Sequence, residues 1–222
     1  MSISVEKSGM SDRLDNPQAP RREKTRVALL AAGAELLSSR SIDALTVNDI
    51  VEAAGVAKGS FFNHFIDKDA FGAEIARMIR RDLEDRVDHA NSDVTDPKER
   101  FVRGICLFVH FAQTEPKRAR IMLRGMDRAM IKKSPLNKGL RRDIKAMIRA
   151  GDMPDGKSDC AFIMALGTCF ALMMAVLNEK MNRAQFKSLC IDSLVACLIG
   201  LGIQTAIAQQ IVEKSIAQMM TG

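Results

Sequence analysis

A chain of 222 residues, 47% hydrophobic and 27% charged, is long enough to bury a sizeable core in one large or two small domains. Tyr and Trp are absent and Pro is scarce, while Ala, Leu, Met and Ile are abundant, a balance that favours helix over strand. The net charge of +6 is unevenly placed: residues 117–149 hold 12 Lys/Arg against 2 Asp/Glu, whereas residues 1–66 hold 8 of each, so bulk charge does not mark the first third as a polyanion-binding surface.

Several chemistries find no support in the residue order. There is no P-loop, HExxH, GxSxG or Rossmann glycine pattern, and three scattered His residues make no triad, so no catalytic residue and no cofactor are expected. The five cysteines show no CxxC spacing or paired ligand pattern, so no metal site is expected. Residues 1–20 are polar and lack the apolar stretch of a signal peptide, which predicts a cytoplasmic chain with reduced thiols.

In chain order, residues 1–20 read as a disordered arm with two prolines. The cluster Arg21, Arg22, Lys24 and Arg26 follows at the start of a helix over about 22–39, whose buried side would carry Val27, Leu30, Ala31, Ala34 and Leu37. These cations could lie along phosphates or reach a minor groove, or form a solvated helix start. Thr46 with Asp49 three residues on is a capping-box pattern opening a second helix, with Ile50, Val51 and Ala54 on one face. Gly55 lets that helix stop and a short third helix start at about Lys58. The third helix interleaves Lys58, Gly59, Ser60, Asn63 and His64 with apolar Val56, Phe61 and Phe65. An apolar floor beneath an open polar side is what a helix entering a DNA groove needs.

Asp67 can cap a fourth helix running to about Ala90. Asp96-Pro97 starts a fifth, to about Thr114, and Pro116 a sixth, through about Met130. Ser134-Pro135 opens a seventh, ending near Gly151, and GDMPDG is a loop. Further helices are predicted over 158–177, from an Asn182/Gln185 cap to Leu201, and over about 204–219. No internal repeat and no strand pattern competes, so the fold class is all-α.

The stretch GVAKGSFFNHFIDKDAF resembles the second half of the TetR-type helix-turn-helix, whose usual pattern is G-V-S-x-G-(T/S)-(L/F)-Y-x-H-F-x-(S/N/D)-K-x-x-(L/F). Gly55, Val56, Gly59, Ser60, Phe61, His64, Phe65, Asp67, Lys68 and Phe71 carry the match. The resemblance spans about residues 22–220. After the disordered arm over 1–20, it implies a three-helix DNA-binding domain over 21–66 and an effector-binding and dimerisation domain over 67–222. It also implies a homodimeric regulator of transcription, released from a palindromic operator in double-stranded DNA by a small molecule, with repression the expected outcome. The DNA-facing set carried over is Thr46, Asn48, Lys58, Gly59, Ser60, Phe62, Asn63, His64 and Lys68. Asn48, Lys58 and Asn63 would meet base edges; Ser60, His64 and Lys68 would hold the backbone. Two positions depart from the pattern. Phe62 replaces the usual Tyr, and Ala57 replaces a capping Ser or Thr, each at a cost of about 1 kcal/mol.

For the effector, Cys106, His110, Phe111, Phe170 and Met173 are candidate lining residues, although Met and Phe at helical spacing ordinarily fill cores. Arg120, Arg124 and Arg128 share a helical face, and Arg124 and Arg128 would suit an anionic effector such as a carboxylate or acyl-thioester. A solvated face, or a positive side turned to DNA, are the alternatives. By the same resemblance, the last long helices form the dimer interface, with Ala161, Ala165, Thr168, Ala171 and Ala175 allowing close approach and Leu194, Cys197, Leu198 and Leu201 as the partner stripe. Cys160–Leu177 is 18 residues without a charge, the lower limit for crossing a bilayer. Gly167 and Thr168 mid-run and the close polar flanks favour a buried interface helix and no membrane. A membrane-associated helical protein, or a helical ligand-binding module without a DNA role, is the alternative function.

Overall fold

The computed structural model describes residues 21–124 and 137–221. Those residues form ten helices and no strand: α1 Arg21–Ser39, α2 Val47–Ala53, α3 Lys58–Phe62, α4 Lys68–Ala90, α5 Pro97–Thr114, α6 Pro116–Arg124, α7 Lys138–Arg149, α8 Ser158–Asn178, α9 Arg183–Gly200 and α10 Thr205–Thr221. They divide into two units, residues 21–82 with 120–124 and residues 83–119 with 137–221. The division falls inside α4, between Asp82 and Leu83, whereas the sequence pattern placed the boundary at the start of that helix.

In the first unit, α1 and α4 cross closely at Gly33. A Cβ there would lie 2.2 Å from Phe71 Cζ and 2.7 Å from Ile75 Cδ1, so the crossing requires the absent side chain. Beneath α3, Phe61, Phe65 and Phe71 form a ring cluster with centroids 4.8–5.5 Å apart. Arg26 lies over Phe65 and pairs with Glu74 of α4 at 2.7 Å, fixing α1 to α4 from the outside.

In the second unit, α5 is the central helix, touching α7, α8 and α10, while α9 packs on α8 and α10. It buries Phe101, Val102, Ile105, Cys106, Val109, Phe111 and Ala112. Its start is capped by Asp96, whose side chain accepts from Lys98 N at 2.9 Å, with Pro97 at the first helical position. A polar network surrounds that end. Arg100 pairs with the buried Asp143 of α7 at 2.9 Å and donates to Asn91 O at 2.8 Å; Arg103 donates to Ala90 O at 2.6 Å. Asn182 and Gln185 form the expected reciprocal cap on α9, at 2.9 and 3.0 Å.

The expected sixth helix is described as far as Arg124; its continuation to Met130, with Arg128 and the Ser134-Pro135 start, lies outside the described residues. Helix α8 is, among the described residues, the one helix long and apolar enough to cross a membrane. Seven of its side chains are nonetheless buried in the core of its own unit, Phe162, Leu172 and Met173 among them.

Candidate nucleic-acid interface

Helix α2 begins with the full capping box. Thr46 N donates to Asp49 Oδ2 at 2.7 Å, and Asp49 N donates to Thr46 Oγ1 at 3.1 Å. Hydrogen bonds from the Thr46 backbone and hydroxyl hold the Asp49 carboxyl below its ordinary range. Ile50 and Val51 are buried, so Asn48 is left pointing outward beside the cap. Gly55 then takes φ 64°, a left-handed conformation that L side chains rarely adopt, and the chain turns directly into α3.

Helix α3 has five residues and no side-chain cap, since Ala57 offers no oxygen. Such a helix is not stable alone. Phe61 holds it: fully buried, it meets Phe62, Phe65 and Phe71 at 5.4–5.5 Å. With Phe61 as floor, Lys58, Gly59, Phe62 and Asn63 are exposed, and Ser60 and His64 are half-buried. Phe62 is 56% exposed with no hydroxyl to orient it. A Cβ on Gly59 would meet nothing within 4 Å, so no packing inside the chain calls for glycine there.

Lys68 is placed differently from the expectation. Its ammonium donates inward to Leu45 O at 2.6 Å and Ile42 O at 3.3 Å, tying the start of α4 to the α1–α2 connection. An ammonium already engaged by backbone carbonyls is not presented to a phosphate in this arrangement.

A second element, only partly signalled by the sequence, is an open groove of about 530 Å³ between α1 and α3, lined by Arg21, Arg22, Thr25, Ser60, Asn63 and His64. Arg22 Nη2 donates to Asn63 O at 3.3 Å, joining the end of α3 to the start of α1. Burial, then the Arg22 and Arg26 charges, hold the His64 imidazole below its usual range, against a smaller opposing effect of Glu23. The cluster at 21–26 was visible as a charge run. Thr25 carried no signal, because its part depends on where α1 crosses α3.

The residues proposed for an effector differ in burial. Cys106, Phe111 and Met173 are core side chains of the second unit, His110 is half-buried and Phe170 sits at the surface. Arg124 is exposed and belongs to the first unit, and Arg128 lies outside the described residues. Burial pushes the Cys106 and Cys190 thiols up to about 12, which leaves them protonated and unreactive at neutral pH.

The residues expected to form a dimer stripe fall on both faces of their helices. Ala161, Ala165, Leu194, Cys197, Leu198 and Leu201 are buried within their own unit, Thr168 and Ala175 are half-buried, and of that set Ala171 is exposed. The open apolar face of α8 instead carries Ile163 (64% exposed), Gly167, Phe170 (36%) and Ala171, with Ile199 exposed on α9. A helix apolar on every side has no polar stripe to set its rotation, so spacing alone could not tell the inner face from the outer.

Residues 29–75 match the family model described as bacterial regulatory proteins, tetR family. That stretch holds α2, α3 and most of α1, so the family likeness in sequence falls on the helix-turn-helix. It is 34% identical over 79 residues to the HTH-type transcriptional repressor DhaR of Mycobacterium sp. (strain GP1), a match covering 36% of this chain and 40% of that protein. The chain thus spans less than half the length of that curated relative. Among solved structures, RolR in complex with resorcinol is similar with TM-score 0.62 at 22% identity, over 86% of this chain and 94% of that one. FadR from Bacillus subtilis in complex with stearoyl-CoA is similar with TM-score 0.62 at 16% identity, over 79% and 98%. Likeness at these identities establishes that the all-helical fold is shared over both units.

Proposed function

We propose that this protein is a cytoplasmic, ligand-responsive repressor of transcription that binds a palindromic DNA operator as a homodimer. The carrying observation is the α2–α3 pair, in which Phe61 and Ile50 form the floor while Asn48, Lys58 and Asn63 stand outward. An amide can bond adenine at two atoms and a lysine can donate to guanine, which suits the three exposed groups to base edges. Gly59 keeps the outer side of α3 low enough for close approach by the DNA backbone.

Dimerisation falls to the open face of α8 and α9. Ile163, Phe170 and Ile199 are large apolar side chains exposed together with small Gly167 and Ala171, and a second copy would cover them. Two recognition helices roughly 34 Å apart would then meet successive major grooves.

For release, α4 is the coupling element. Lys68 anchors its first turn to the Ile42 and Leu45 carbonyls, and Arg103 of α5 holds the Ala90 carbonyl at its other end. A small molecule bound in the second unit that shifts α5 would pull on α4, and a coupling of about 1–3 kcal/mol would lower operator affinity 5- to 150-fold. RolR and FadR hold resorcinol and stearoyl-CoA on the same fold. In this chain an acidic effector is favoured by Arg141. Its guanidinium lies 3.8 Å over the Phe162 ring, its Nη2 is buried without a hydrogen-bond partner, and the neighbouring Asp143 is engaged by Arg100 and Arg142.

The test is a gel shift on the DNA flanking the protein's own gene, across a salt series with competitor DNA. Saturable binding that survives competitor and is lost in Lys58→Ala/Asn63→Ala supports the reading. A shift that competitor removes equally from both proteins contradicts it. Release by carboxylates but not by their amides, abolished in Arg141→Met, supports the acidic effector. Equal release by both compound classes rejects it.

A further inference from the structure

Helix α7 holds five of the 12 cations found between residues 117 and 149. Arg141 turns inward over the Phe162 ring, whereas Lys138, Arg142, Lys145 and Arg149 are exposed. At 3.6 residues per turn these four lie within about 60° of one another around the helix and span roughly 16 Å along it. The opposite side, with Asp143, Ile144 and Met147, is buried, so the core behind the helix fixes which way the row faces.

Two features separate this row from an ordinary solvated face. It holds no acid of its own, because the one carboxylate of α7 is Asp143, buried and paired with Arg100. Lys138 with Arg142, Arg142 with Lys145, and Lys145 with Arg149 are thus like-charge neighbours three or four residues apart, each pair destabilising the helix. The outer side of α4 shows the ordinary arrangement, with exposed Asp85, Arg86 and Asp88 mixed in sign. The second feature is the lack of compensation from neighbours. Among the described residues, Asp88 of α4 reaches Arg142 at 3.3 Å, and Lys138, Lys145 and Arg149 have no ion pair. Gly139, Ala146 and Ala150 run along one flank, so no long side chain there keeps a polyanion away.

A bilayer is a poor match, since the apolar side of α7 is already taken up by its own core. Duplex DNA fits better. Residues 1–66 balance 8 Lys/Arg against 8 Asp/Glu, so charge that attracts DNA as a polymer has to come from elsewhere in the chain.

We propose that the row formed by Lys138, Arg142, Lys145 and Arg149 binds the phosphate backbone of duplex DNA outside the operator, without regard to sequence. The proposal rests on the DNA-binding reading and adds a second contact surface to it. Phosphate contacts carry no sequence information, so the row adds affinity for any duplex. Binding releases counterions, which makes that affinity salt-dependent. The second unit then keeps the protein on DNA while the α2–α3 pair samples sequence.

The experiment is fluorescence anisotropy over a salt series on three duplexes: an operator selected from random DNA, the same operator with unrelated flanks, and an unrelated duplex of that greater length. The variant is Lys138→Gln/Lys145→Gln/Arg149→Gln, changed at exposed sites only. On flanked and unrelated DNA it should bind roughly tenfold more weakly than the wild type at about 0.1 M salt, with the slope of log affinity against log salt smaller by about 2–3. On the bare operator the two proteins should agree within about twofold. Lys138→Arg/Lys145→Arg/Arg149→Lys, which keeps the charges, should match the wild type on all three duplexes. Lys58→Ala/Asn63→Ala should lose the preference for the operator and keep its binding to the unrelated duplex. Equal binding of wild type and Gln variant to flanked and unrelated DNA, with any loss confined to phosphatidylserine vesicles, would overturn the row and leave the DNA reading intact. An equal loss on the bare operator would overturn it too, since the row would then act as a diffuse field. A wild type that selects no sequence would overturn the DNA reading, and the unrelated duplex alone would then decide the row.

Discussion

The two units of this chain solve opposite problems. The N-terminal unit supports a five-residue helix with no cap, held by one buried phenylalanine and two aromatic neighbours, so that its outer side can stay polar and bare. The second unit is built from helices of up to 21 residues whose apolar surface exceeds what its own core covers, leaving Ile163, Phe170 and Ile199 outside. In the first, excess rigidity beneath permits exposure above. In the second, excess apolar surface calls for a further partner.

The sharpest way to break this contrast is to change core and outer residues of α8 and α9 separately. Leu198→Ala, at a site fully buried inside the unit, should destabilise the fold by about 2–5 kcal/mol, read by chemical denaturation. Ile163→Glu should leave the fold's stability within about 0.5 kcal/mol at matched oligomeric state and convert dimer to monomer in sedimentation. Dissociation caused by Leu198→Ala but not by Ile163→Glu would restore the face first assigned from spacing.

In the N-terminal unit, Gly33→Ala should cost about 1–3 kcal/mol, because the added methyl collides with Phe71 and Ile75 at the α1–α4 crossing. Thermal unfolding would detect it as a drop of several degrees. Gly59→Ala should do the reverse: an added Cβ meets nothing, so the helix gains about 0.5–1 kcal/mol while operator affinity falls. A Gly59→Ala protein that binds DNA as well as the wild type would show that close approach to the DNA backbone does not require glycine at that position.

The smallest effect concerns acid. Burial alone would raise the Glu115 carboxyl, but hydrogen bonds and charge from Arg86 and Arg118 outweigh it and hold the group below its ordinary value of 4.5. A carboxyl lowered on folding contributes stability above its unfolded pKa, and that contribution is lost as pH falls through the folded one. Glu115→Gln should therefore narrow the gap in stability between pH 6 and pH 3, by under about 1 kcal/mol for so partly exposed a pair.

How much of this was legible in the sequence depended on whether a residue type had one job or several. Thr46 with Asp49, Asn182 with Gln185 and Asp96-Pro97 each announced a helix start, because a short polar side chain at that spacing satisfies backbone N–H groups. Gly55 and Phe61 were readable for the same reason: a left-handed turn needs glycine, and a short polar helix needs an anchor. Lys68 was not. A lysine at a helix start can reach outward to a phosphate or back to carbonyls, and only the position of the 42–45 connection decides. Nor was the rotation of α8, where Ala161 and Ala171 look alike in sequence and one is core, the other surface. The division within α4 was hidden because its charged residues suit a surface helix in either unit.

The central claim is that the α2–α3 pair reads DNA sequence through Asn48, Lys58 and Asn63. Selection of duplexes from a random pool, followed by footprinting of the enriched sequence, tests it most directly. A palindrome with half-sites about one helical turn apart, roughly 34 Å, should be enriched, protected by the wild type and unprotected by Lys58→Ala/Asn63→Ala. Enrichment of no sequence by the folded protein, or protection unchanged in the double variant, would contradict it.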